Sequence, residues 1–306
     1  MKNSPQSSSV RKLLGKLSQP ESRWSEKFIQ GRIKAGDGHG AGKKYRGWIR
    51  FRDLSSKGTS SRVYSKKLDR MVTLFSNIEL GVFLLAEFNP GFIDYWENFP
   101  LSREKSMAAA KSLRVQHPTY PHTKVPIVMT IDAIVTILDG KGWHRRAVDC
   151  KSEKATTVRT HQKLRIHAHV SKAMGMPHLL VTEKTVSNEV IKTIKWIRSA
   201  VPRRIDTPSI AGAFDTWPAL LLKDLYRDIP DAPRSITLAS YCSAFDSKHG
   251  LAPGYAMGFL RILLWRHEIS IDLTSDKAAL LPLSALSRPD PSLARLFNIT
   301  SQQGAA

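Results

Sequence analysis

Asp132, Asp149 and Lys151 stand at positions from which their side chains can act together. Between the two aspartates lies Asp139-Gly140-Lys141-Gly142, a turn-forming string. The β-branched run 127–138 precedes it and residues 145–151 follow it. These read as a buried strand and its return. With the turn centred between Gly140 and Lys141, residues whose numbers sum to 281 face each other. Asp132 and Asp149 meet that condition, which puts their Cβ atoms about 4.5–5.5 Å apart on one sheet face. Lys151, two residues beyond Asp149, falls on the same face, and Cys150 falls on the opposite, core face as a small hydrophobe. Opposed carboxylates in apolar strands repel and cost desolvation energy. A divalent cation removes both penalties. Oxygen donors suit magnesium, with manganese as a substitute. A neighbouring lysine can stabilise charge developing on a phosphate or orient a water. The plainer alternative is an Asp149–Lys151 salt bridge, with Asp132 marking an exposed strand.

Asp, a spacer and Asp-x-Lys across a hairpin is the sequence form of the PD-(D/E)XK nuclease core. Nucleases of this class often bring a further carboxylate from the helix before the sheet, and Glu79 is placed to do so. It is also the third helical residue of a capping box with Ser76, ahead of the apolar run through Glu87, and the two roles are compatible. Glu87, Asp94 and Glu97 read as surface or capping residues. His161, His167 and His169 lie on a basic helix without clustered Cys or acidic partners at ligand spacing, so they read as solvated or DNA-facing. His117-Pro118 reads as a rigid turn.

The elements that must position these residues follow in order. Residues 76–87 form a buried helix ended by Asn89-Pro90-Gly91, and Phe92–Trp96 a short strand. The hairpin comes next, then a basic helix over 159–174, a strand over 178–182 and a helix over 187–199. Helices alternating with strands imply a mixed sheet covered by helices. Residues 1–20 read as a flexible, Ser-rich basic arm. The Gly-rich basic stretch 35–47 lacks a complete phosphate-loop pattern. It reads as a flexible segment lying on DNA backbone, or as a plain linker.

Of 306 residues, 47 are Lys or Arg and 26 Asp or Glu, a net charge of +21. Residues 1–70 hold +13 of it and residues 206–306 hold −1. This distribution points to nucleic acid for the basic part and a protein contact for the C-terminal third. Two cysteines exclude a disulfide framework and fit a reducing cytoplasm. The start of the chain lacks an apolar signal core. No uninterrupted apolar stretch of about 18 residues exists, so no membrane span is expected.

The chain resembles the TnsA endonuclease subunits of heteromeric bacterial transposases, from about Trp24 to about Thr185. The resemblance is carried by Tyr45-Arg46-Gly47-Trp48, Ser76-Asn77-Ile78-Glu79, Leu84–Glu87, Ile93–Leu101, His117-Pro118, Met129–Asp132, Ala147–Lys151 and Leu180–Glu183. It implies an α/β, restriction-endonuclease-like PD-(D/E)XK core, a mixed sheet flanked by helices, followed by a mainly helical, winged-helix-like domain. The implied division is a basic DNA-contacting segment over 1–70, the nuclease core over 71–200 and a partner-binding domain over 206–306, after a linker from Pro202 to Pro208. Trp217–Tyr226 and Gly254–Glu268 read as helices in that last part, and Glu268–Leu273 as a short strand. The implied catalytic set is Glu79, Asp132, Asp149 and Lys151, with magnesium on the three carboxylates. Lys43, Lys44, Arg46, Arg50, Arg52, Lys57 and Arg62 are the candidate DNA contacts.

The activity implied is magnesium-dependent cleavage of the non-transferred strand at the 5′ ends of a transposon. The implied partners are double-stranded DNA of the transposon ends, a TnsB-like DDE transposase and a TnsC-like AAA+ ATPase regulator. The implied location is the bacterial cytoplasm, on the nucleoid when assembled. Two alternatives stay open: another PD-(D/E)XK restriction or repair nuclease, and a non-catalytic DNA-binding adaptor.

Overall fold

Strand-forming sequence on either side of a two-residue turn builds the centre of the molecule. The computed structural model describes residues 24–53, 59–155, 157–201, 213–275 and 277–289. The arm 1–20, Lys57, the Pro202–Pro208 linker and the Arg52 side chain lie outside that description. In chain order the elements are α1 (Glu26–Lys34), β1 (Ser61–Ser65), β2 (Arg70–Leu74), α2 (Asn77–Phe88), β3 (Phe92–Pro100), α3 (Arg103–Ser112), β4 (Thr130–Asp139) and β5 (Gly142–Cys150). They continue with α4 (Val158–Ala173), β6 (His178–Val181), α5 (Asn188–Ser199), α6 (Ala213–Asp228), α7 (Leu238–Lys248) and α8 (Tyr255–Trp265).

The main sheet has the order β3-β4-β5-β6. Its first two pairings are antiparallel and the last is parallel. Gly142 takes φ +105°, a conformation that suits glycine. The β4–β5 register runs from Asp139 opposite Gly142 to Ala133 opposite Val148. Every one of these pairs obeys the sum of 281 read from the sequence.

Period-two alternation sorts the strands onto two cores. Ala133, Val135, Val148 and Cys150 join Leu80, Phe83 and Leu84 of α2 and Ile194 and Ile197 of α5. Ile134 and Ala147 join Ala109 and Ala110 of α3 and Ile166 and Val170 of α4. The result is a mixed sheet between two helical layers, the restriction-endonuclease-like arrangement. Gly81 lets α2 and α5 approach: a Cβ there would stand 2.8 Å from Ile191 Cδ1.

The C-terminal helices extend the first core, with Leu221 and Leu225 of α6, Phe245 of α7 and Leu260 and Leu263 of α8 in the same apolar cluster. Arg261 Nε donates to Trp196 O at 2.8 Å, which pins α8 to α5. The expected strand over Glu268–Leu273 is absent. Ser270 makes only an isolated bridge to Ser287. The chain bends beyond it because Asp272 Oδ1 accepts the Thr274 amide at 2.9 Å, a local turn that competes with strand pairing.

Two further expectations are corrected. The Gly-rich stretch is not a flexible segment. Gly36, Gly38, Gly40 and Gly42 all have positive φ. They fold the stretch onto β3, where the Gly42 amide donates to Asp94 Oδ2 at 2.8 Å and the Trp48 amide to Asn98 O at 3.1 Å. Glu87, Asp94 and Glu97 are buried, not surface residues. Glu87 is bound by Arg198 Nε at 2.6 Å and Ser65 Oγ at 2.7 Å. Asp94 accepts from Trp96 Nε1 at 2.8 Å. Glu97 takes a two-point contact from Arg70, both bonds 2.8 Å. Arginines distant in sequence supply the counter-charge for Glu87 and Glu97, and neutral N–H donors satisfy Asp94.

The Arg70–Glu97 pair ties β2 to β3 with side-chain exposures of 7% and 5%. Removing one partner leaves the other charge buried without its counterpart. Arg70→Met is therefore expected to lower unfolding free energy by about 3–5 kcal/mol in urea titrations. A loss below about 1 kcal/mol would show that the pair is open to water.

Candidate functional site

The open end of the β4–β5 hairpin gathers the acidic residues. Asp132 sits at the start of β4, one pair beyond Ala133 and Val148. Its Oδ2 accepts the Cys150 amide at 2.7 Å and the Lys151 ammonium at 2.8 Å. Lys151 Nζ also donates to Cys150 O at 2.9 Å. Burial would depress the lysine, but Asp132 and Asp149 outweigh it and raise the ammonium above its ordinary value. Lys151 is accordingly a fixed cation at neutral pH and not a proton acceptor.

Glu79 enters from the first turn of α2. Ser76 Oγ accepts the Glu79 amide at 3.1 Å and donates to Glu79 Oε1 at 3.0 Å, and Glu79 Oε2 takes the Phe75 amide at 2.8 Å. The carboxyl thus caps the helix and faces the hairpin end. Burial first, then the charge of Asp132, push it up to about 7, against the Phe75 and Ser76 bonds and the Lys151 charge. Burial also raises Asp132, with Asp149 adding to it and Lys151 opposing it.

Asp149 is engaged differently. The β4–β5 pairing ends at Ala133 and Val148, one step short of the expected Asp132–Asp149 pair, and the two carboxylates do not share hydrogen-bond partners. Asp149 is completely buried. Its Oδ2 lies 2.7 Å from His167 Nδ1 and 2.6 Å from His178 Nε2, and Oδ1 has no hydrogen-bond partner among the described residues. Burial would raise this carboxyl, but His167, the His178 hydrogen bond and the Lys151 charge overcome it. They hold the acid well below the usual carboxylate range. The two hairpin aspartates are pushed in opposite directions by their surroundings, a pattern that accompanies division of labour at reactive sites.

His167 corrects the sequence reading. It is buried and turned to Asp149, whereas His161 and His169 are exposed. Its place on α4, between buried Leu164 and Ser171 at helical spacing, was the available signal. His178 carried no such mark. It opens β6, and its parallel pairing beside Ala147 brings it to Asp149. His117 is a structural turn residue, bonded to Ser106 Oγ at 3.0 Å and Pro118 O at 2.9 Å.

The residues present fit a divalent cation. Two carboxyls raised by burial, Glu79 further by Asp132 and Asp132 further by Asp149, and an unpartnered buried carboxylate oxygen are what a hard cation would relieve. Asp149, His167 and His178 also offer ligand atoms all within 4.8 Å of one another.

Arg46, Arg50 and Arg62 line an open cavity with Asp37, Tyr45 and Glu97. Arg50 donates to the buried Asp37 at 2.5 Å and Lys43 to Asp69 at 2.6 Å, so each shares its charge with an acid. Lys44 and Arg62 are exposed. No helix among the described residues is long and apolar enough to cross a membrane.

No protein-family model matches the chain. Among curated proteins it is similar to the transposon Tn7 transposition protein TnsA of Escherichia coli. The two are 31% identical over 196 residues, which cover 64% of this chain and 71% of that protein.

The raised Glu79 carboxyl carries a pH signature. A folded-state value near 7 against an ordinary 4.5 means that the folded protein binds this proton more tightly than the unfolded chain. Stability from this group is complete below about pH 4.5 and is lost as pH rises through about 7. Urea titrations without divalent ions at pH 5 and pH 8 should show Glu79→Gln gaining on the wild type at the higher pH, by on the order of 3 kcal/mol. An equal difference at both pH values would contradict the raised carboxyl.

Proposed function

This chain belongs to the TnsA family of transposition proteins, and from that membership we propose that it is the metal-dependent endonuclease subunit of a heteromeric transposase. The observation that carries this reading is the meeting of Asp132 and Lys151 at the hairpin end, with Glu79 within electrostatic reach. In this reading Glu79, Asp132 and Asp149 hold magnesium, which manganese can replace. The cation supplies Lewis-acid polarisation of the phosphate and a more acidic bound water. Lys151, held protonated by its acidic neighbours, places a positive charge where the pentacoordinate phosphate gathers negative charge. Asp132 aims that charge by fixing Nζ through Oδ2.

The substrate we assign is double-stranded DNA at the transposon ends, cut on the non-transferred strand at the 5′ side. A TnsB-like DDE transposase makes the complementary 3′ cuts. Lys43, Lys44, Arg46, Arg50, Arg52, Lys57 and Arg62 contribute backbone contacts. Residues 71–200 act as the nuclease core. Residues 206–306 act as a mainly helical, winged-helix-like module that docks a TnsC-like AAA+ regulator, in keeping with their charge of −1 against +13 for residues 1–70. The protein works in the cytoplasm, on the nucleoid when assembled. A pure subunit of this charge that cut freely would damage its host genome, so full activity awaits the partners.

The test is strand-resolved cleavage of end-labelled transposon-end DNA by the assembled proteins in magnesium. The expected cut is on the 5′ strand. Lys151→Ala should slow it by about 10²–10³-fold while keeping magnesium and DNA affinity. Asp132→Ala should lose both cleavage and magnesium affinity. Cleavage of the 3′ strand, or near-normal nicking by Lys151→Ala, would overturn the assignment.

A further inference from the structure

Asp149 is gripped on one oxygen only. Oδ2 carries two ring nitrogens, while Oδ1, equally buried, has no partner among the described residues. A buried carboxylate oxygen left bare is costly. The two rings reach Oδ2 from different elements, α4 and the first residue of β6. Their centroids lie 6.5 Å apart and their planes stand at 77°. Two donors converging at that angle fix the rotation of the carboxylate as well as its position, so the direction of Oδ1 is set by residues outside the hairpin.

We propose that His167 and His178 are positioning residues that donate their ring N–H groups to Asp149 Oδ2 and thereby present Oδ1 as the single oxygen Asp149 offers to the divalent cation. This rests on the reading of Asp149 as a metal ligand. The same three residues could instead ligate an ion directly, but the distances favour hydrogen bonds. Separations of 2.6 and 2.7 Å between nitrogen and oxygen match charge-assisted N–H···O contacts. Ligands sharing one ion at about 2.0–2.2 Å each stand roughly 3 Å or more apart. The clamp also answers the hairpin's electrostatic problem. Asp132 has the Lys151 ammonium as its counter-charge. Asp149 takes its hydrogen bonds from His167 and His178 instead, so the two opposed carboxylates have separate hydrogen-bond partners.

The experiment uses the full chain and two readouts. The first is nitrogen NMR of histidine-labelled protein without divalent ions. His167 should be protonated at Nδ1 and His178 at Nε2, and Asp149→Asn should shift both signals. Finding either nitrogen unprotonated overturns the clamp. The second is calorimetric titration with Mn²⁺ alone. His167→Leu and His178→Leu should each weaken binding by about 10–100-fold. His167→Asn and His178→Gln, which restore an N–H near the Nδ1 and Nε2 positions, should recover most of that loss. Unchanged affinity in the leucine variants, or no recovery in the amide variants, overturns the positioning role. Co²⁺ absorption bands of nitrogen ligation that vanish in the leucine variants would make the rings ligands and overturn it too. A wild-type protein that keeps the NMR pattern and binds no Mn²⁺ would sink the metal role of Asp149, and the clamp's purpose with it. Normal Mn²⁺ binding by both leucine variants would sink the clamp alone.

Discussion

Asp132 Oδ2 ties the open end of the β4–β5 hairpin together. It accepts the Cys150 amide and the Lys151 ammonium at once, so strand pairing and lysine placement depend on the same atom. A carboxylate at the mouth of an apolar hairpin would ordinarily loosen it. Here it takes up the Cys150 amide just past the last strand pair, Ala133 and Val148. The charge that raises Glu79 also originates at Asp132. Moving this one side chain would therefore shift the lysine, relax the hairpin end and change the acidity of the helix-capping glutamate.

Two sets of carboxylates among the described residues differ in how fully they are answered. Glu87 has Arg198 and Ser65, and Glu97 has both arms of Arg70. These are closed accounts of charge within the scaffold. Glu79, Asp132 and Asp149 are answered only in part, by a helix cap, one ammonium and two imidazoles. Their incompleteness is concentrated at one end of one hairpin. Scaffold carboxylates gain nothing from such exposure to one another, whereas a site that must take up a cation and a phosphate needs it.

The hairpin was legible because a two-residue turn and a period of two leave little freedom: once Gly140 and Lys141 are the turn, the facing pairs follow. Glu79 was legible through its cap. The direction of Asp149 was not, because it is decided by His167 and His178, which lie 18 and 29 residues further along the chain. Glu87 and Glu97 were misread for the same reason, their partners being 111 and 27 residues away. The β1–β2 hairpin escaped because its strands, Ser61–Ser65 and Arg70–Leu74, carry too many polar residues to alternate clearly. Helix α7 escaped because Thr237 pairs with Ser240 in its capping box, not with the Glu or Gln usually sought there.

Anomalous diffraction from crystals soaked in Mn²⁺ tests the central claim most directly, since it locates the cation against named atoms. The expected result is density in contact with Asp132 and with Asp149 Oδ1, on the hairpin side of the carboxylate, while His167 and His178 remain on Oδ2. Density bonded to His167 Nδ1 and His178 Nε2, with Asp132 still held only by Cys150 and Lys151, would contradict it.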